Sequence, residues 1–160
     1  NLLWIVDFPF FDYDEELGEY VAMHHPFTAV KEECIPYLKT DKANVIAKFY
    51  DLVLNGFELC SGSIRITDPE LQSEIFDLLG MSKEEAYSKF GYLLDAFKYG
   101  APPHGGLGLG LDRLTMTMLR TDSLRDVIAY PKLKDATEAM TGAPSEVDAV
   151  QHDDLGVKTK

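Results

Sequence analysis

Cysteine is scarce in this chain, basic residues are outnumbered, and no long apolar run occurs. Two cysteines among 160 residues, Cys34 and Cys60, are too few for a disulfide framework, and their spacing matches no zinc pattern. Such usage points to a reducing compartment, the cytoplasm. Lysine plus arginine total 15 against 27 aspartates and glutamates, a net charge of −12. So acidic a chain repels nucleic acid in bulk, and any contact with one has to be local or come from elsewhere. Nothing resembles a signal peptide or a membrane-spanning segment, which argues against a membrane partner. Neither a G-x-G-x-x-G turn nor a P-loop lysine is found, leaving a dinucleotide fold and a Walker loop unsupported. Repeats and low-complexity tracts are missing too. What remains is 46% apolar content over a length that suits one domain with a real core. Asn1 leads directly into an apolar run, which reads as a cut from something longer.

The most unusual stretch is Pro102-Pro103-His104-Gly105-Gly106-Leu107-Gly108-Leu109-Gly110-Leu111-Asp112-Arg113-Leu114. Two prolines stop a preceding helix, and Gly106, Gly108 and Gly110 then alternate with leucines. One face of the resulting strand carries no side chains, so another chain segment or a ligand packs against its backbone. Leu107, Leu109 and Leu111 fill the other face. A helical pattern follows and puts Arg113 in the first turn, where a cation opposes the helix dipole. An arginine there suits a phosphate or a planar base on which guanidinium stacks. The plainer reading is a packed strand–helix corner with an exposed arginine.

Residues 2–9 read as a buried strand ended by proline. The run Asp12-Tyr13-Asp14-Glu15-Glu16 reads as a solvated acidic loop before a turn at Gly18. In Ala22-Met23-His24-His25-Pro26-Phe27-Thr28, adjacent histidines in a strand point to opposite faces, so at most one faces a given pocket. A lone histidine is more often structural than a ligand. Residues 30–40 form a short polar helix or loop. Val45–Leu54 and Phe57–Ile66 are strands joined by Asn55-Gly56, the strongest short hairpin signal. A two-residue turn sets Leu54 against Phe57, Val53 against Glu58, and Asp51 against Cys60. Asp51 and Glu58 then share a face, where two carboxylates repel unless a cation lies between them. Such oxygen ligands suit Mg²⁺ arriving with a phosphate substrate; a solvent-facing pair is the alternative. Arg65 lies an odd number of residues from Glu58, so a bulge near Ser61–Gly62 is needed to bring it to the same face. There its fork-shaped guanidinium suits a bidentate grip on a carboxylate. Thr67 or Asp68 caps a helix with Pro69 in its first turn and Gly80 at its end. Ser82 with Glu85 starts a second helix, with Gly91 a potential break and Gly100 its stop. Ser123–Pro131 is a turn and a short apolar element. From Pro144 the chain is polar and acidic, a loosely held tail.

The string Gly106–Leu114 resembles motif 3 of class II aminoacyl-tRNA synthetases. Ala22–Thr28, Asp51–Leu59, Gly62–Ile66, Pro102–Gly106 and Ser123–Lys132 narrow the resemblance to the aspartate enzymes of bacterial type, over residues 2 to about 144. It implies an α+β fold, an antiparallel sheet with flanking helices, forming the motif-3 half of a catalytic domain over 1–143 with a tail over 144–160. It implies that Arg113 stacks on adenine while Gly110, Leu111 and Asp112 line the ATP site. Glu58, with Asp51, holds Mg²⁺ on the phosphates; Arg65 clamps the side-chain carboxylate of L-aspartate; His24 lines the amino-acid pocket with His25 beside it. Glu58, Arg65 and Arg113 are the catalytic candidates. The implied chemistry is ATP-dependent formation of aspartyl-adenylate and transfer to tRNA(Asp) by a homodimer. Motifs 1 and 2, the anticodon-binding barrel and the inserted domain are not in the chain, so the piece alone is expected to be inactive. A relaxed-specificity aspartyl/asparaginyl version and a non-catalytic paralogue that only binds are the competing expectations.

Overall fold

The computed structural model describes residues 1–158. Two compact units divide the chain, Asn1–Leu114 and a second beginning at Thr115. The first is built on a four-stranded antiparallel sheet in the order β1-β4-β5-β6, with β1 Leu2–Val6, β4 Phe49–Leu54, β5 Phe57–Ile64 and β6 Gly105–Leu109. Strands β2 (Phe11–Asp14) and β3 (Glu19–Ala22) form a separate hairpin. Helices α1 (Pro69–Leu78) and α2 (Lys83–Phe97) connect β5 to β6. This is the expected α+β class.

The β4–β5 hairpin forms where its turn chemistry demands. Asn55 and Gly56 have φ of 52° and 87°, as the hairpin turn with two left-handed central residues requires. Leu54 faces Phe57 and Val53 faces Glu58, as expected. The register then shifts: Leu52 faces Cys60, and Asp51 faces Ser61 instead of Cys60. Leu59 is therefore the extra residue, and the irregularity lies two residues before the expected Ser61–Gly62. Its consequence for parity is the same. Beyond it Ser61, Ser63 and Arg65 share the face of Asp51, Val53 and Glu58.

Three other expectations are corrected by packing. β1 stops at Val6, and all five of its residues are exposed. It is an edge strand hydrogen-bonded only to β4, so an apolar run here does not mean burial. Leu107 and Leu109 are half exposed for the same reason, because β6 is the other edge. β4 begins at Phe49, since Val45–Ala47 bridges single residues on both sides, Ile46 to Pro9 and Ala47 to Val30. The acidic run supplies β2 and its turn, where the Asp14 carboxylate accepts from the Glu16 and Leu17 amides.

The core lies beside the sheet. Phe10, Phe11, Val30, Cys34, Leu38 and Val45 pack with Ile66 and Ile75. A 3-10 turn over Glu32–Tyr37 contributes Cys34, and α1 contributes Ile75. Each such side chain, fully buried, stabilises by about 1.5–3 kcal/mol. The caps match the sequence: Asp68 accepts from the Glu70 amide at 2.8 Å and Ser82 from Glu85 at 3.1 Å. α2 continues unbroken through Gly91, which is buried against the Tyr87 ring. α3 (Leu111–Leu119) follows β6 at once and runs into the second unit. That unit also holds a 3-10 turn at Leu124–Val127 and α4 (Ala149–Leu155). Among the described residues no helix is long and apolar enough to cross a membrane.

Candidate active site

An open cleft of about 630 Å³ lies over the face of β5 that carries Ser61 and Ser63. Gly106 and Gly108 of β6 pair with Ser63 and Ser61. A Cβ built on either glycine meets nothing within 4 Å, so the bare face of β6 opens into the cleft, and among the described residues no chain segment packs there. Arg65 closes one end. Its backbone forms a bridge to Thr28, which draws the segment after β3 alongside β5.

That segment corrects the reading of the histidines. β3 ends at Ala22, and Met23 and His24 lie in a bend before Pro26. Strand alternation therefore does not apply, and His24 and His25 both line the cleft. His24 lies flat on the Phe49 ring, with centroids 3.6 Å apart and planes 7° from parallel. Its Nε2 is buried without a hydrogen-bond partner. Burial lowers the His24 pKa, and the Asp51 carboxylate acts against that. His25 is lowered as well, first by burial, then by Arg65 and His24. Its Nδ1 stands 3.4 Å from Arg65 Nη1. Two neutral rings and one guanidinium thus share a cleft with few other charges, a setting that favours a small carboxylate.

The second group of expected residues meets at the bulge. Arg113 Nη1 donates to the Glu58 carbonyl at 2.8 Å and to its carboxylate at 3.3 Å. Ser61 Oγ donates to the same carboxylate at 3.1 Å, so one serine joins the Glu58–Arg113 pair to the cleft. Gly110 sits at the start of α3, its amide on the Leu59 carbonyl and its own carbonyl accepting from Leu114. A Cβ there would lie 3.3 Å from the Leu59 oxygen, which keeps the turn tight. Leu111, Asp112 and Arg113 form the first turn of α3. Asp51 faces Ser61 across the hairpin, and its Oδ1 is buried with no partner.

A family model described as tRNA synthetases class II (D, K and N) matches residues 1–134. This chain belongs to the class II tRNA synthetases. Among curated relatives, an aspartate–tRNA ligase from Macrococcus caseolyticus is 57% identical over 99% of the chain and 27% of its own length. An aspartate–tRNA(Asp/Asn) ligase from Lachnoclostridium phytofermentans is 54% identical over 98% of the chain and 26% of its own length. The chain therefore spans about a quarter of these relatives. An aspartyl-tRNA synthetase from Entamoeba histolytica shares the fold, with a TM-score of 0.62 at 23% identity over 84% of the chain and 23% of that structure.

For a class II synthetase chain, the orphaned Asp51 oxygen and the Glu58 carboxylate on one face fit a divalent cation. Among the described residues no group of three or more histidines, cysteines and acids gathers for a metal. Two carboxylates suit a cation that arrives with the rest of its shell filled by phosphate and water. Sequence reading did not single out Phe49, Thr28, Ser61 or Ser63. The serines were within reach of it, since they alternate with Arg65 along β5. The platform under His24 was not, because it depends on where the bend after β3 carries the ring.

Proposed function

We propose that this chain is the C-terminal catalytic part of an aspartate–tRNA ligase, which activates L-aspartate with ATP and transfers it to tRNA(Asp). The observation that carries the reading is the common face of β5. Bulging at Leu59 puts Arg65 on the side of Glu58 and Asp51, with His24 and His25 over the same cleft. Arg65 holds the side-chain carboxylate of aspartate, between the neutral His24 and His25. Arg113 stacks on adenine, with Gly110, Leu111 and Asp112 forming that end of the ATP site, and Asp51 with Glu58 would hold Mg²⁺, which would neutralise charge on the phosphates. The exposed Glu58–Arg113 pair is weak in water, so nucleotide and metal exchange for it at little cost. The α-carboxylate of aspartate attacks the α-phosphorus, pyrophosphate leaves, and the adenylate passes its acyl group to the terminal ribose. The protein contributes positioning and charge neutralisation, with no nucleophile of its own.

The chain alone lacks the remaining three quarters of its relatives' length, and we expect it to be inactive. Aspartate-dependent pyrophosphate exchange by the full-length protein, absent from the 160-residue piece, is the expected result; exchange by the piece, or none by the whole, overturns the reading. The full protein is expected to be a cytoplasmic homodimer. The likeness to an aspartate–tRNA(Asp/Asn) ligase favours a second reading, in which both tRNAs are charged. Aminoacylation of tRNA(Asp) and tRNA(Asn) side by side separates the two.

A further inference from the structure

Two hydroxyls under the cleft have no role in the reading above. Thr28 and Ser63 are each only 1% exposed, and both are directed at the His25 ring. Thr28 Oγ1 lies 3.3 Å from Nδ1 and 3.5 Å from Nε2, and Ser63 Oγ lies 3.4 Å from Nε2. The other neighbours of Nδ1 decide the tautomer. The Phe27 amide donates to it at 3.3 Å and Arg65 Nη1 stands at 3.4 Å. An amide N–H and a guanidinium can only donate, so Nδ1 is the bare acceptor and the proton sits on Nε2. Ser63 Oγ is then the acceptor for that proton, and Thr28 Oγ1, within reach of both ring nitrogens, holds the ring from the neighbouring segment. Both residues are fixed by the strands that fix Arg65. Thr28 bridges to Arg65 through the backbone, and Ser63 precedes it by two on the same face of β5.

We infer that Thr28 and Ser63 are positioning residues: they hold the His25 ring in place, so that its Nδ1 lone pair aims the Arg65 guanidinium at the substrate carboxylate. Removing either hydroxyl leaves the ring free to turn, and Nδ1 then no longer faces the guanidinium. The inference rests on the proposed aspartate site and deepens it.

Steady-state pyrophosphate exchange with the full-length protein provides the test. Ser63→Ala and Thr28→Val are expected to raise KM for aspartate about tenfold, with KM for ATP and kcat within about twofold of wild type. Thr28→Ser, which keeps the hydroxyl, is expected to stay near wild type. Equal rises in both KM values, or a Thr28→Ser as impaired as Thr28→Val, would mean that the two residues serve packing alone and would overturn the inference. Should Ser63→Ala fail to fold, the Thr28→Val and Thr28→Ser pair decides by the same criteria. Wild-type protein without aspartate-dependent exchange removes the functional reading itself; wild-type exchange with unchanged variants removes only the positioning role of the two hydroxyls.

Discussion

Glycine lies on both faces of the β5–β6 pair and means opposite things on the two. On the reverse face, Tyr50 lies across Gly62 and its hydroxyl donates to the Gly106 carbonyl at 3.0 Å. A Cβ on Gly62 would come within 2.1 Å of that carbonyl oxygen and 2.6 Å of the tyrosine ring. There the missing side chain is replaced by a neighbour's ring. On the cleft face, a Cβ on Gly106 or Gly108 would enter empty space. There the missing side chain leaves open space. The same residue type thus serves cohesion on one side and keeps a cleft open on the other, with one strand pair between them.

The sharpest way to break that contrast is Gly62→Ala. No flexible side chain can yield at 2.1 Å from a backbone oxygen, so β6 has to move away from β5. A loss of about 3 kcal/mol or more is expected, read as a lower urea midpoint, together with loss of the β6 register on which the cleft depends. A Gly62→Ala protein as stable as wild type would mean that the reverse face is not packed as described.

Next in size is Arg65→Gln, on the open face. The half-buried guanidinium contributes a hydrogen bond to a histidine and little to the core, so stability is expected to change by less than about 1 kcal/mol. Aspartate affinity in the full-length protein is expected to fall about a hundredfold, because a charge-assisted bidentate grip becomes a single neutral one. Isothermal titration with L-aspartate beside a thermal melt separates the two quantities. A variant that loses stability but keeps affinity would assign Arg65 to the scaffold.

Much of this was legible in the sequence, and the failures share one cause. Asn55-Gly56, Asp68-Pro69 and the Ser82 cap are local codes, and each forms as read. The need for a bulge followed from parity between Glu58 and Arg65, yet Gly62 was the wrong marker for it. The better marker is Leu59-Cys60, two consecutive buried residues that no half-buried regular strand has. Gly62 is there for the Tyr50 ring, a partner that cross-strand register alone reveals. Burial of β1 was over-read because an edge strand looks like a central one from its own residues. The shared cleft of His24 and His25 depends on a bend, and alternation says nothing once a strand has ended.

The two histidines offer a third effect, smaller and tied to pH. Both bind a proton less readily in the folded chain than their ordinary pKa of 6.5. As pH falls, the unfolded chain therefore takes up protons first. The stability that goes with neutral rings is fully present above about pH 6.5 and is lost as pH drops through the lower folded values. Urea midpoints measured from about pH 7.5 to 5.5 should fall for wild type and fall less for His25→Asn. The packed reverse face has no such group, so Tyr50→Phe should keep the wild-type slope. Equal slopes in all three proteins would show that the His25 ring titrates as freely folded as unfolded.

Smallest of all is the effect of Gly108→Ala on stability, and that is what makes it informative. The added methyl group meets no atom within 4 Å, and alanine restricts the unfolded chain more than glycine does. The change is expected to lie between zero and about 1 kcal/mol in favour of folding. The methyl group stands over Ser61, the residue joining the Glu58–Arg113 pair to the cleft, and takes volume from whatever binds there. Affinity for aspartate or ATP in the full-length protein should drop several-fold while the melt is unchanged or higher. Gly62→Ala, on the neighbouring strand, should lose stability first and affinity only as a consequence. If the two substitutions behave alike, the cleft face is not open to a ligand, and the bare strand needs another explanation.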